Sequence, residues 1–174
     1  LAEGGEGMEV EREQTCCFTG HRSSKLPWHT NEGDIRCVEL KRKLREALRE
    51  EYEGGIRHFI CGMASGSDMY FAEAVLRLRE ELPDITLEAA VPYEEQSRGL
   101  APWDKRRYER VLSACDKVTV VSREYWAGCM QKRNVYMVDR SAVIIAVFGG
   151  GQGGTFNTMR YALKKGLKLV EISP

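Results

Sequence analysis

Short apolar runs that alternate with longer amphipathic ones predict an α/β fold: a single Rossmann-like domain, doubly wound, with a mostly parallel sheet and helices on both faces. The apolar runs are 15–19, 56–61, 85–91, 117–122, 142–148 and 167–172, and most are rich in Val and Ile, as strands buried on both faces require. Several of these runs are followed by a glycine-rich turn that opens into a helical pattern, the place where such sheets bind ligands.

The helical segments are read in order. Residues 34–53 carry Ile35, Val38, Leu44, Leu48 and Tyr52 near a helical period, and Gly54-Gly55 stops them. Residues 67–82 place Ala72, Val75, Leu76 and Leu82 inward and end before Pro83, because the residue preceding proline avoids the helical region. Residues 104–114, 134–141 and 155–165 supply three more, with Gly166 closing the last. There is no internal repeat and no second domain; residues 1–14 read as a flexible N-terminal tail, and 15–174 as one Rossmann-like domain.

Composition narrows the function. The chain has 174 residues, enough for one sizeable core, with 43% hydrophobic and 30% charged residues. Lys plus Arg equals Asp plus Glu at 26 each, so no global field draws the protein to nucleic acid or membrane. The one compact basic run, Lys105-Arg106-Arg107, reads as a solvated helix face. The six cysteines form no C-x-x-C pair, which argues against zinc and thiol-redox sites and for reduced core thiols in a cytoplasmic protein. No metal is expected. No apolar stretch approaches the roughly 18 residues of a membrane span, and the acidic, glycine-rich start lacks the order of a signal peptide.

The candidate site residues follow the strands. After the first run, Gly20, His21 and Arg22 combine a tight turn with a guanidinium able to grip phosphate. After the second, Gly62, Ala64, Gly66 and Ser67 expose backbone N–H groups at a helix start, an anion site, with Ser67 or Asp68 as cap in the simpler reading. The Asp68 carboxylate repels phosphate but suits a ribose hydroxyl or acid–base work, making it the candidate catalytic residue. Tyr93 and Gln96 follow the third run and suit a base and its edge groups. Arg133 and Asn134 stand just before the fourth helical stretch, as a cap with a solvated cation or as ligand contacts. The strongest element is 149–154, five glycines in six residues, followed by Thr155. Gly151, Gly153 and Gly154 let a ligand approach the backbone, and Thr155 caps the helix or offers its hydroxyl. No lysine precedes Thr155, so this is not a Walker A loop.

Taken together, TGHR with Lys25-Leu26, CGMASGSD, VPYEEQ with WDKRRY, GCMQKRNVYMVDRS and GGQGGT followed by YALKKG resemble the YpsA-like branch of the SLOG superfamily, which includes the LOG-type cytokinin-activating proteins and DprA. The resemblance runs from about Thr15 to the end. It implies a bacterial Rossmann-like domain whose pocket takes a nucleotide or ribose derivative such as ADP-ribose or NAD. It also implies a homodimer, and phosphate contacts from Gly62, Gly66, Gly153, Gly154 and Thr155. LOG-type hydrolases carry a catalytic glutamate two residues after that threonine; here the position is Asn157, so the hydrolase mechanism lacks its principal carboxylate. Three functions follow in order: binding or sensing of a nucleotide or nucleotide-sugar; hydrolysis of an N-glycosidic bond, as in a phosphoribohydrolase, through another carboxylate; and single-stranded DNA binding, ranked last on the balanced charge.

Overall fold

The computed structural model describes residues 10–174; residues 1–9 of the expected tail lie outside the described residues, and Arg12–Gln14 form a 3-10 turn leading into the first strand. Six strands, β1 (Thr15–Gly20), β2 (His58–Cys61), β3 (Thr86–Val91), β4 (Lys117–Val120), β5 (Val143–Val147) and β6 (Lys168–Ile172), form one sheet in the order β4-β3-β2-β1-β5-β6. Every pairing is parallel, with Cys16 opposite Phe59 and Phe18 opposite Ile145. Five helices connect them: α1 (Ile35–Glu53), α2 (Ser67–Glu81), α3 (Pro102–Ala114), α4 (Cys129–Asp139) and α5 (Gly154–Lys164). The expected fold class is therefore the observed one.

The pleat of β1 shows how the layers are built. Cys16 and Phe18 face the larger apolar cluster, with Leu40 and Leu44 of α1, Phe71 and Val75 of α2 and Val111 of α3. Cys17, one residue out of phase, meets Met137 and Val138 of α4 and Ala162 of α5 on the opposite face. All six cysteines are free thiols. Phe18 and Phe71 stack with ring centroids 4.5 Å apart, which locks α2 onto the carboxyl half of β1.

Two local readings are corrected. Helix α4 starts at Cys129, after Gly128, five residues before the expected boundary, so Arg133 and Asn134 lie inside the helix and Asn134 caps nothing. Helix α3 turns Arg107 inward: its guanidinium binds Glu73 of α2 and Glu32 (Nη1 to Oε2, 2.6 Å) and its side chain is only 11% exposed. The basic run is thus not a uniformly solvated face, because two carboxylates distant in sequence compensate its last member.

Near the amino end of β3 the sheet buries a carboxylate. Glu88 accepts from His58 Nε2 at 2.9 Å, Thr119 Oγ1 at 2.9 Å and Tyr136 Oη at 2.5 Å, with Lys117 Nζ at 3.8 Å. Burial alone would push this carboxyl up, but the donors outweigh it and hold Glu88 below its ordinary value. A carboxylate with a depressed folded pKa stabilises the fold above its unfolded value and loses that contribution as pH falls through the folded one. Glu88→Gln, which sets an amide N–H against these donors, is therefore expected to cost about 2–4 kcal/mol at pH 7 in urea unfolding. The gap between variant and wild type should narrow as pH falls below the ordinary glutamate range. An unchanged gap at acid pH would contradict this role for Glu88.

Candidate functional site

The chain walks from β1 through β4 in one direction and then crosses back to place β5 on the other side of β1. This reversal opens a crevice at the carboxyl ends of β1 and β5, where α1 and α5 leave on opposite faces. A cavity of about 290 Å³ lies there.

His21 organises its rim. The His21 N–H donates to the carbonyl of Val147 at 3.1 Å, and the His21 carbonyl accepts from both the N–H (3.2 Å) and Oγ (2.7 Å) of Ser67. Its Nε2 accepts from the N–H of Gly149 at 2.9 Å, which places the imidazole proton on Nδ1. Burial, aided by Lys25, pushes the His21 pKa down, so the ring is neutral and able to accept at neutral pH. His21 Nδ1 is the one buried side-chain N or O without a partner among the described residues. The turns around it leave no room for side chains. A Cβ on Gly66, whose φ is +84°, would stand 2.5 Å from the backbone nitrogen of Ser23, and one on Gly20 would collide with Ser67 Oγ.

Asp68 and Arg133 form the charged interior. Both are 5% exposed. Burial pushes Asp68 up to about 6 against the pull of Arg133, the Ala64 N–H (3.0 Å to Oδ2) and Arg22. Arg133 is not the solvated cation of the simpler sequence reading. Its Nη1 donates to the carbonyl of Gly62 and its Nε to Asn134 Oδ1 at 2.8 Å. Burial draws its pKa down while Asp68 opposes that. Gln96 Nε2 donates to the same Gly62 carbonyl at 3.2 Å and its Oε1 accepts from Tyr108 at 3.0 Å, so Gln96 braces the turn from behind.

The start of α5 supplies the opposite character. The helix begins at Gly154 after Gly153, whose φ of +138° excludes most side chains and whose added Cβ would meet Lys25 Nζ at 2.8 Å. No side chain caps this end, so Thr155 is not the cap the sequence suggested; the chain enters through a conformation that suits glycine. Backbone N–H groups in the first turn lack helical partners and carry the positive end of the helix dipole. Lys25 reaches over the loop, its Nζ donating to the carbonyl of Gln152 at 3.4 Å.

Of the expected site residues, Gly20, His21, Arg22, Ala64, Asp68, Arg133, Asn134, Gly154 and Thr155 all line this cavity. Gly62, Gly66, Ser67 and Gln96 stand behind it as supports. Tyr93 packs edge-on against Tyr125 with centroids 5.4 Å apart and does not line it. Gly151 is an exposed loop residue with φ +89°, and Asn157 is exposed on α5; neither lines the cavity. The sequence reading missed Ser24, Lys25, Met130 and Met137. Met130, Arg133, Asn134 and Met137 recur at i, i+3, i+4 and i+7, one face of a helix, a signal hidden by starting that helix too late. Among the described residues no group of three His, Cys, Asp or Glu is disposed to hold a metal ion, and no helix is long and apolar enough to cross a membrane.

Arg133 is the largest of the influences holding Asp68 down. Arg133→Gln is expected to move the Asp68 midpoint upward by about one unit or more from about 6, read by carboxyl ¹³C NMR. An unmoved midpoint would show that Arg133 is not its counter-charge.

Comparison with known proteins agrees with this architecture. The sequence profile of the YspA SLOG family (YpsA) matches residues 16–169. The chain is 32% identical over 140 residues to the uncharacterized SPbeta prophage-derived protein YoqJ of Bacillus subtilis, covering 73% of this chain and 82% of that protein. It is 28% identical over 150 residues to a UPF0398 protein of Bacillus anthracis, covering 84% and 80%. DNA processing protein A of Streptococcus pneumoniae superposes with a TM-score of 0.63 at 13% identity, over 91% of this chain and 50% of that one. The Helicobacter pylori protein of the same name, described for its single-stranded DNA binding mode, gives 0.60 at 16% identity, over 92% and 65%. At such identities the likeness is one of fold. From the profile match and the YoqJ relative together, the chain belongs to the YspA SLOG family.

Proposed function

We propose that the chain binds a nucleotide or nucleotide-sugar of the ADP-ribose or NAD kind in the cavity at the carboxyl ends of β1 and β5, as a cytoplasmic sensing or carrier domain. One observation carries the reading. A single cavity is lined by the open first turn of α5, two cationic side chains that carry no carboxylate partner among the described residues (Arg22 and Lys25), and one buried carboxylate, Asp68, beside the buried Arg133. The first three favour a phosphate. The carboxylate accepts from hydroxyls, and a ribose phosphate presents both groups on one molecule. At about 290 Å³ the cavity lies at the small end of ligand pockets and suits one nucleotide unit of such a ligand, its remainder extending toward solvent, rather than a long strand. The equal counts of 26 basic and 26 acidic residues give single-stranded DNA no comparable support.

Thermal unfolding against AMP, ADP, ATP, NAD and ADP-ribose tests this reading, with a labelled single-stranded oligonucleotide alongside. A ligand at about a hundred times its Kd should add about 2.7 kcal/mol of stability. The joint substitution Arg22→Ala with Lys25→Ala should remove most of that shift, and the ligand should be recovered intact. No shift with any nucleotide, or binding of the oligonucleotide alone, would overturn the proposal.

The pKa of Asp68, about 6, favours a second reading, N-glycosidic hydrolysis. A carboxylate titrating there can take a proton from water as the oxygen attacks the anomeric carbon and the bond to the base nitrogen breaks. The active form is then ionised, so release of base should rise with pH through about 6. Asp68→Asn should abolish that release. Hydrolysis that survives the substitution would remove Asp68 from the mechanism.

A further inference from the structure

A second cavity, of about 150 Å³, lies on the other side of the turn that follows β2. It is separate from the first. Between them Gly66 packs on the backbone of Arg22 and Ser23 so closely that a Cβ would stand 2.5 Å from the Ser23 nitrogen. Ala64 lines the first cavity, while Met63, Ser65 and Gly66 line the second. That volume is enough to take one aromatic ring.

The lining has a definite chemistry. Met63, Met69 and Tyr108 contribute buried apolar surface, at 1%, 5% and 4% exposure. Met63 is held at φ +63°, a left-handed conformation uncommon for a side-chain-bearing residue. Thioethers pack well on ring edges and adapt to their shape. At the mouth stands Trp103, 64% exposed, an indole with solvent on one side and the cavity on the other. The charges are unequal. Arg107 pairs with Glu32 and Glu73, and Lys41 with Glu32 at 2.7 Å, so two cations and two carboxylates cancel. Asp104, in the first turn of α3 beside Trp103 and also lining the cavity, has no side-chain ion pair among the described residues; the helix N-terminus offsets part of its charge. The cavity therefore offers room for one ring between a methionine-lined wall and the polar side chains of Ser23, Thr30 and Ser65, with an indole face and one carboxylate, Asp104, that no cationic side chain among the described residues pairs with.

We propose that this second cavity is a binding site for an aromatic or heteroaromatic cation, a planar ring carrying an amino group or a protonated nitrogen. The ring fills the slot lined by the methionines, Trp103 stacks on it or accepts its charge against the indole face, and Asp104 neutralises it. An anionic ring of the same shape meets the same slot but is repelled by Asp104.

Matched probes separate shape from charge: tryptamine, a cationic indole, and indole-3-acetate, an anionic one. Binding to the full chain is followed at low salt by calorimetry and by the ¹³C-methyl resonances of Met63 and Met69. Tryptamine is expected to bind saturably, at least about tenfold more tightly than indole-3-acetate, and to shift the Met69 methyl. Trp103→Ala, a change at an exposed side chain, should abolish binding with the circular dichroism spectrum intact. Asp104→Asn should bring the two probes to within about twofold of each other. Saturating ADP-ribose should leave the tryptamine stoichiometry in place, whatever shift in affinity the shared turn transmits, so that this site stands or falls independently of the first. Absence of saturable binding, equal affinity for both probes in the wild type, or binding that leaves Met69 unmoved would overturn the proposal.

Discussion

His21 holds three chain segments in register at the edge of the crevice. Its N–H reaches Val147 on β5, its carbonyl takes both donors of Ser67 at the start of α2, and its imidazole accepts from Gly149 in the loop before α5. None of these partners is near it in sequence, so a single residue fixes the relative positions of β1, β5 and two helix starts. The third bond requires a neutral ring, because a protonated imidazole has no acceptor. Burial and Lys25 both push the His21 pKa down, the direction that preserves the acceptor. For a group whose folded pKa is depressed in this way, the contribution to stability is lost as pH falls through the folded value. The site thus depends on an imidazole kept uncharged while Arg22 and Lys25 line the same cavity.

The interior of the cavity has the opposite tension. Asp68 is a buried acid whose pKa is raised, so its ionised form works against the fold as pH rises from about 4 to about 6. Arg133 offsets part of that cost, yet its guanidinium is buried too and is tied to the Gly62 carbonyl and Asn134. A pair of apolar side chains could fill this space without either penalty. Retaining an incompletely compensated acid in a cavity is the signature expected of a site that recognises or transforms something.

Much of the fold was legible because strand burial on both faces leaves a local mark: short Val- and Ile-rich runs closed by glycine turns. The helix periods between them did the same for α1, α2 and α5. What could not be read locally was pairing. Arg107 and Arg133 sit in sequence among solvated neighbours, and only the arrival of Glu32 and Glu73, or of Asp68 and the Gly62 carbonyl, makes them interior residues. The glycine tract was half legible. Its abundance signalled a special backbone, but Gly150 and Gly151 have open space where a Cβ would go, whereas Gly153 lies against Lys25. Composition does not distinguish a glycine that satisfies φ from one that also makes room for a neighbour.

The turn from Gly62 to Gly66 explains why one strand end can serve two cavities. Its residues point alternately, with Ala64 toward the crevice and Met63 and Ser65 toward the slot beneath Trp103. Its ends are held from opposite sides, Gly62 by Arg133 and Gln96 and Gly66 by the backbone of Arg22 and Ser23. A backbone restrained at both ends, with a left-handed Met63 between them, has little freedom to move one wall without the other. The same close packing that keeps the two cavities separate therefore gives them a common wall. A change in the rotamer or backbone of Met63 on one side bears directly on the position of Ala64 and, through its N–H, on the Asp68 carboxylate on the other.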